Sequence, residues 1–131
     1  MNPQKFDFLK IYATTPESEP QRKEPNEIID GRKYYDKVKD AAQWSEHFHF
    51  EGTLIYANNS LVDGWSVAQI ILEHTNALNP LVAVNPVYIH PYSLAKNIAS
   101  LAFMYNRRVD IKMRQERPGP VERPVKMLVK L

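Results

Sequence analysis

Five polar side chains stand where a chain of alternating strands and helices would put chemistry. Tyr12 closes the run FDFLKIY, Asn58 and Asn59 follow TLIYA, Asn85 ends the apolar run LVAVN before Pro86, and His90 precedes Pro91. In parallel α/β folds ligands bind at the carboxyl ends of the strands, and a phenol, a carboxamide or an imidazole there can read a ligand edge. Thr14 and Ser60 fall in the same two loops. The asparagine pair has a second reading as turn formers, because asparagine tolerates the left-handed region. Asn85 carries a stronger signal, since an amide at the end of a buried apolar strand needs hydrogen-bond partners.

Several chemistries are excluded outright. The chain has no cysteine, so a disulfide, a thiol nucleophile and a cysteine zinc site are absent. Its four glycines, Gly31, Gly52, Gly64 and Gly119, spell neither GxGxxG nor GxxxxGK[ST], so neither kind of nucleotide loop exists. His47 and His49 are two residues apart at a helix end and point to different faces, and no metal site is expected. His74 reads as a core or helix-end histidine, and Trp44, Trp65, Tyr92, Met104 and Tyr105 as packing residues.

The elements that must position these residues follow from periodicity. FDFLKIY, residues 6–12, predicts a first strand, and residues 14–31, with three prolines and five acids, predict a long loop. Tyr34, Val38, Ala41, Ser45 and Phe48 share one stripe of a helix over 32–48. TLIYA predicts a buried second strand. Asp63 is placed to cap a helix whose inner face is Val67, Ile70, Ile71 and His74. LVAVNPV predicts a third strand, His90-Pro91 opens a helix carrying Leu94, Ile98, Leu101 and Tyr105, and Arg107–Met113 alternates as a fourth strand. The order βαβαβαβ defines an α/β class with a parallel sheet. Unit spacing of ~30 residues matches a (β/α)8 barrel of ~250 residues, of which this would be the N-terminal half. A flavodoxin-like sheet competes, and periodicity alone does not separate the two.

Charge divides unevenly. Residues 114–131 carry five basic and two acidic side chains, whereas residues 1–113 carry 12 basic and 13 acidic ones. The net charge of +2 therefore belongs to a proline-rich tail, which argues against a nucleic-acid face. No apolar run reaches the ~18 residues of a membrane span, and MNPQKFDFLK lacks the apolar core of a secretory signal. With no cysteine, a reducing compartment is expected, and a cytoplasmic location with it.

Residues 51–113 carry a recognisable pattern. Its pieces are Gly52-Thr53-Leu54-Ile55, Asp63-x-Trp65 opening a helix, Leu81-Val82-Ala83-Val84-x-Pro86, the His90-Pro91 helix start, and Asn106-Arg107-Arg108-Val109-Asp110. In their order and spacing the chain resembles the N-terminal half of the bacterial luciferase-like flavin-dependent monooxygenases, in the alkanesulfonate and long-chain alkane branch. The resemblance spans roughly residues 6–113 and implies a (β/α)8 barrel that binds reduced FMN, supplied by a separate flavin reductase. The reduced flavin and O2 together oxidise a small organic substrate, the cofactor carrying the difficult chemistry. By position, Asn58 falls where bacterial luciferase has a histidine, and Asn85 where the third strand approaches the flavin ring. Leu61 stands where the alkanesulfonate enzymes carry a cysteine, so their substrate does not transfer.

The resemblance ends at Met113. The tail RQERPGPVERPVKMLVKL, residues 114–131, lacks the glycine-bearing segment the family places against flavin. The implied organisation is N-terminal barrel units over 1–113 and an unrelated basic tail over 114–131, as from a reading frame interrupted near residue 113. A truncated half barrel predicts unpaired edges at strands 1 and 4, exposed apolar inner faces, self-association or a homo-oligomer, and weak or absent activity. The alternative reading is an assembly module that pairs with an intact homologue through its second and third helices. A flavodoxin-like carrier is disfavoured by the missing phosphate loop.

Overall fold

A computed structural model describes residues 10–16, 31–56, 62–115 and 125–129. Strands β1 (Tyr12–Thr14), β2 (Gly52–Ile55), β3 (Asn79–Val84) and β4 (Asp110–Gln115) alternate with helices α1 (Gly31–His47), α2 (Gly64–His74) and α3 (Pro91–Tyr105), and β5 (Val125–Val129) follows. β1 to β4 are parallel neighbours in the order of the chain. This order decides between the two architectures. A flavodoxin-like sheet reverses direction after its first strand, in the order 2-1-3, whereas a barrel adds each strand beside the last. The arrangement is that of half a (β/α)8 barrel.

All three helices cover one face of the sheet. Val38 and Ala42 from α1, Val67, Ala68, Ile71 and Leu72 from α2, and Leu94 and Leu101 from α3 form a single cluster with Ile55, Val82, Val84, Val109 and Ile111 of the strands and their approach. The helix-facing strand residues sit at every second position, as the pleat requires. The other face carries Leu54, Leu81, Ala83, Asp110 and Lys112. Burial on that face is partial at Leu54 and nearly complete at Leu81, so it is less bare than a stripped half barrel implies.

Most departures from the predicted spans are shifts of phase. β1 begins at Tyr12, where the first strand was predicted to end, and residues 6–9 lie outside the described ones. The α1 stripe is Val38, Ala42 and Ser45, with Ala42 replacing Ala41. Phe48 lies in the turn after α1 and is exposed. β3 starts two residues early at Asn79 and stops at Val84, and β4 starts only at Asp110. The predicted unpaired edge at strand 4 is not found. β5 runs antiparallel beside β4, with Ile111 opposite Val129 and Gln115 opposite Val125, so part of the tail joins the sheet.

Two clamps fix the amino ends of the strands. The Glu46 carboxylate accepts backbone N–H groups from Asn76, Ala77 and Leu78, the shortest distances to each being 2.8, 2.9 and 3.1 Å. Arg107 grips the same turn from the other side, donating to the carbonyls of Thr75 at 2.7 Å and Leu78 at 2.5 Å. Burial acts to raise the Glu46 pKa, but the N–H donors and Arg107 outweigh it and hold the carboxyl below its ordinary range. Gly52 is required by a close approach, because a Cβ there would strike the Asn79 carbonyl oxygen and come within 2.8 Å of the Tyr12 ring.

Candidate functional site

The carboxyl ends of β2 and β3 open into a cleft of about 270 Å³ between the start of α2 and the loop leading to α3. Tyr56 beyond β2, Trp65 in the first turn of α2 and Tyr88 in the β3–α3 loop supply aromatic surface. Asn85 and Asn97 supply carboxamides, and Ile89, Val84 and Ala83 contribute to the apolar lining. Each residue arrives by an identifiable local cause. Val84 ends its ladder before Asn85-Pro86, since proline has no N–H to donate. The chain then turns, with Asn85 Oδ1 accepting the Val87 N–H at 3.1 Å and the Asn85 carbonyl accepting the Tyr88 N–H at 3.1 Å. This turn lifts Tyr88 to the rim, where its side chain is exposed.

Asn85 is thus brought to the cleft as expected, but half its hydrogen-bonding capacity is met locally. Its Oδ1 is a turn acceptor, while Nδ2 finds no acceptor among the described residues. Asn58 and Asn59 lie outside the described residues. His90 is not in the cleft lining. It is the N-cap of α3, its Nδ1 accepting the Tyr92 N–H at 3.2 Å, which places the proton of the neutral ring on Nε2.

Tyr12 is a correction. It lies level with Gly52 at the amino end of the sheet, away from the cleft. Because β1 starts at Tyr12 rather than ending there, its side chain belongs to the opposite rim. There its hydroxyl is 3.5 Å from Asp110 Oδ2. Arg108 bridges Asp110 Oδ2 at 2.9 Å and Glu51 Oε1 at 2.7 Å, and Lys10 reaches Glu51 at 3.5 Å. Burial raises the Tyr12 pKa, and the Asp110 and Glu51 carboxylates raise it further. This network ties β1, β2 and β4 together below the sheet.

Asp63 is also placed differently from its predicted role. It is the N-cap residue of α2, but only its backbone carbonyl caps, accepting from Ser66 at 3.1 Å and Val67 at 3.3 Å. Its side chain makes no capping bond and lines the cleft. Tyr56, Trp65, Tyr88 and Asn97 were not singled out as site residues by sequence reasoning. For Asn97 a signal exists, since it stands three residues from Leu94 and four from Leu101, a polar residue beside an inward stripe. Trp65 both packs against the core cluster and faces the cleft, so its packing assignment is half of its role.

The lining has a definite chemical character. Among the described residues it holds one ionisable carboxylate, Asp63, two tyrosines and no histidine, lysine or arginine. Such a set can stack on a planar ring and hydrogen-bond its edge. Among the described residues no cluster of three or more His, Asp or Glu side chains could hold a metal, and no helix is long and apolar enough to cross a membrane.

No protein-family model matches the chain. It is similar to the 4-(gamma-L-glutamylamino)butanoyl-(BtrI acyl-carrier protein) monooxygenase BtrO of Niallia circulans, at 34% identity over 82 residues. The matched segment is 63% of this chain and 24% of that enzyme. The chain therefore spans about a quarter of the length of the curated relative it matches.

Proposed function

We propose that this chain supplies one wall of a flavin-dependent monooxygenase site, with the cleft beyond β2 and β3 taking the ring of FMN. The observation that carries the reading is the cleft itself, walled by Tyr56, Trp65 and Tyr88 and edged by Asn85 and Asn97. Its fit to the cofactor is partial and specific. Ligand sites for whole drug-sized molecules run to roughly 300–1,000 Å³, so about 270 Å³ suits a ring system rather than the entire nucleotide. No phosphate cradle exists among the described residues. The similarity to a monooxygenase supports the oxidative class, and the luciferase-like pattern in residues 51–113 supports the flavin.

When bound, reduced FMN would supply the reaction with O2 that oxidises a small organic substrate, a flavin reductase being its source. The protein's own contribution is orientation and exclusion of water. Asn85 Nδ2, left without an acceptor by the turn, is placed to donate to a carbonyl on the ring edge, and Asn97 presents a second amide from α3. Trp65 and Ile89 keep the inner wall dry. The cleft is open on one side, and the amino-terminal barrel units by themselves should turn over weakly or not at all. Titrating the purified chain with FMN and following flavin fluorescence tests the reading. Saturable quenching at micromolar concentration is expected, and absence of binding would refute it.

A second reading, an assembly module pairing through α2 and α3, is favoured by one observation. α3 has Lys96 as its single charged residue, and its outward face shows Phe103 at 88% and Met104 at 60% exposure. Ser93, Lys96 and Ser100 are exposed along the same helix, so the large apolar surface of its last turn is confined to Phe103 and Met104. Sedimentation of the chain alone and with an intact homologue separates this reading from a monomer.

A further inference from the structure

We infer that the mouth of the cleft selects a cationic substrate, an alkylammonium whose charge is received by Asp63 and whose stem lies along Tyr56 and Tyr88. The inference rests on the monooxygenase reading above and names the substrate class for that site. Its first support is the side chain of Asp63. An aspartate at a helix N-cap ordinarily turns its carboxylate onto the N–H groups of the first turn. Asp63 holds that position on α2 but makes no side-chain capping bond, and its backbone carbonyl alone receives the Ser66 and Val67 N–H groups. The carboxylate is left to the cleft. It is exposed at the mouth and has no hydrogen-bond or ion-pair partner among the described residues.

The second support is the wall around that carboxylate. Among the described lining residues Asp63 is the one charged group, with no lysine, arginine or histidine to neutralise it. The same absence runs through the sequence, since no lysine or arginine lies between Lys39 and Lys96 although the chain has 17. Lys96 itself is turned to Tyr92, its ammonium 5.9 Å from that ring's centroid, and takes no part in the lining. Tyr56 and Tyr88, 46% and 68% exposed, stand at the mouth, with the half-buried Trp65 beside them. Aromatic faces attract an ammonium through their π electrons, and a carboxylate among them adds the opposite charge. An anion would be repelled by Asp63, and a neutral chain would leave its carboxylate unused. The inner wall of Val82 and Val84, which are buried, is left to the flavin ring.

The test is tryptophan fluorescence of the full chain carrying Trp44→Phe, in which Trp65 is the one tryptophan left. The probe is n-hexylammonium, with hexanoate and hexanol as its anionic and neutral counterparts. Saturable quenching by hexylammonium at about millimolar concentration is expected, with hexanoate and hexanol at least about fivefold weaker. Asp63→Asn should weaken hexylammonium about fivefold and bring it level with hexanol, since asparagine serves equally at an N-cap and lacks only the charge. Asp40→Asn, on α1 and outside the lining, should leave it unchanged, and circular dichroism checks that each variant is folded. Absence of saturation at about 50 mM hexylammonium would overturn the proposal. So would equal binding of hexanol, an unchanged affinity in Asp63→Asn, or tighter binding of hexanoate, which the first N–H groups of α2 would then be holding. FMN titration of the same samples keeps the two ideas apart. Flavin binding without a preference for ammonium sinks the cationic substrate only, whereas ammonium-selective binding without flavin binding sinks the flavin reading and leaves Asp63 as a cation site.

Discussion

Removing the Glu46 carboxylate should loosen the turn from which β3 departs, and its cost can be worked from the structure. Three backbone N–H groups, from Asn76, Ala77 and Leu78, point at this carboxylate within 3.1 Å. A hydrogen bond to a charged group contributes about 1.5–3 kcal/mol when buried, but this site is half-exposed, so the three together are discounted to about 2 kcal/mol. Glu46→Ala should therefore lower the melting temperature by about 8 °C, at roughly 4 °C per kcal/mol for a chain of this size. Glu46→Gln keeps one carbonyl acceptor and should lose about half as much. The pH dependence has a defined sign. The folded carboxyl titrates below its ordinary 4.5, so its contribution is complete above that value and is lost as pH falls through the lower, folded pKa. Thermal melts followed by circular dichroism at about pH 7 and about pH 3 should show a gap between parent and Glu46→Gln that narrows at the lower pH. A gap under about 2 °C for Glu46→Ala at neutral pH, or one that persists unchanged in acid, would refute the reasoning.

Other outcomes follow from the same structure. Arg107→Lys replaces a fork that holds the Thr75 and Leu78 carbonyls together with a single ammonium, and should cost about 1–2 kcal/mol in urea unfolding. Gly52→Ala drives a methyl into the Asn79 carbonyl and the Tyr12 ring, and should cost more than about 3 kcal/mol or prevent folding, read by soluble yield and melting. Phe103→Ser, at a side chain 88% exposed, should leave stability within about 0.5 kcal/mol yet reduce self-association in sedimentation velocity if α3 forms the assembly face.

The fold was readable where a single constraint dominated. Pro86 ends β3, Pro91 opens α3, and the apolar runs 53–55 and 81–84 are strands because each is buried on its helix-facing side. Strand starts were less readable. Alternation in FDFLKIY says that a strand is near, but pairing with β2 begins only at Tyr12, and this moved Tyr12 to the opposite rim from the one assigned to it. The pairing of β5 with β4 could not be read from a proline-rich, basic segment, because an antiparallel return depends on a partner edge that the segment does not encode.

The candidate site was legible through Asn85 and poorly through the rest. An amide at the end of an apolar strand is visible in sequence. Trp65, Tyr88 and Asn97 are neighbours only after α2, the β3–α3 loop and α3 converge, and each taken singly looks like a packing or surface residue. His90 stands apart from the cleft lining, and its Nδ1 caps α3 by accepting the Tyr92 N–H.

The central claim is that the cleft beyond β2 and β3 receives a flavin ring. Its most direct test is equilibrium titration of FMN into the chain and into Asn85→Ala, followed by flavin fluorescence. Micromolar, saturable binding weakened about fivefold in Asn85→Ala is the predicted result, the change expected from losing one hydrogen bond of about 1 kcal/mol. No saturation, or binding that Asn85→Ala leaves unchanged, would contradict the account.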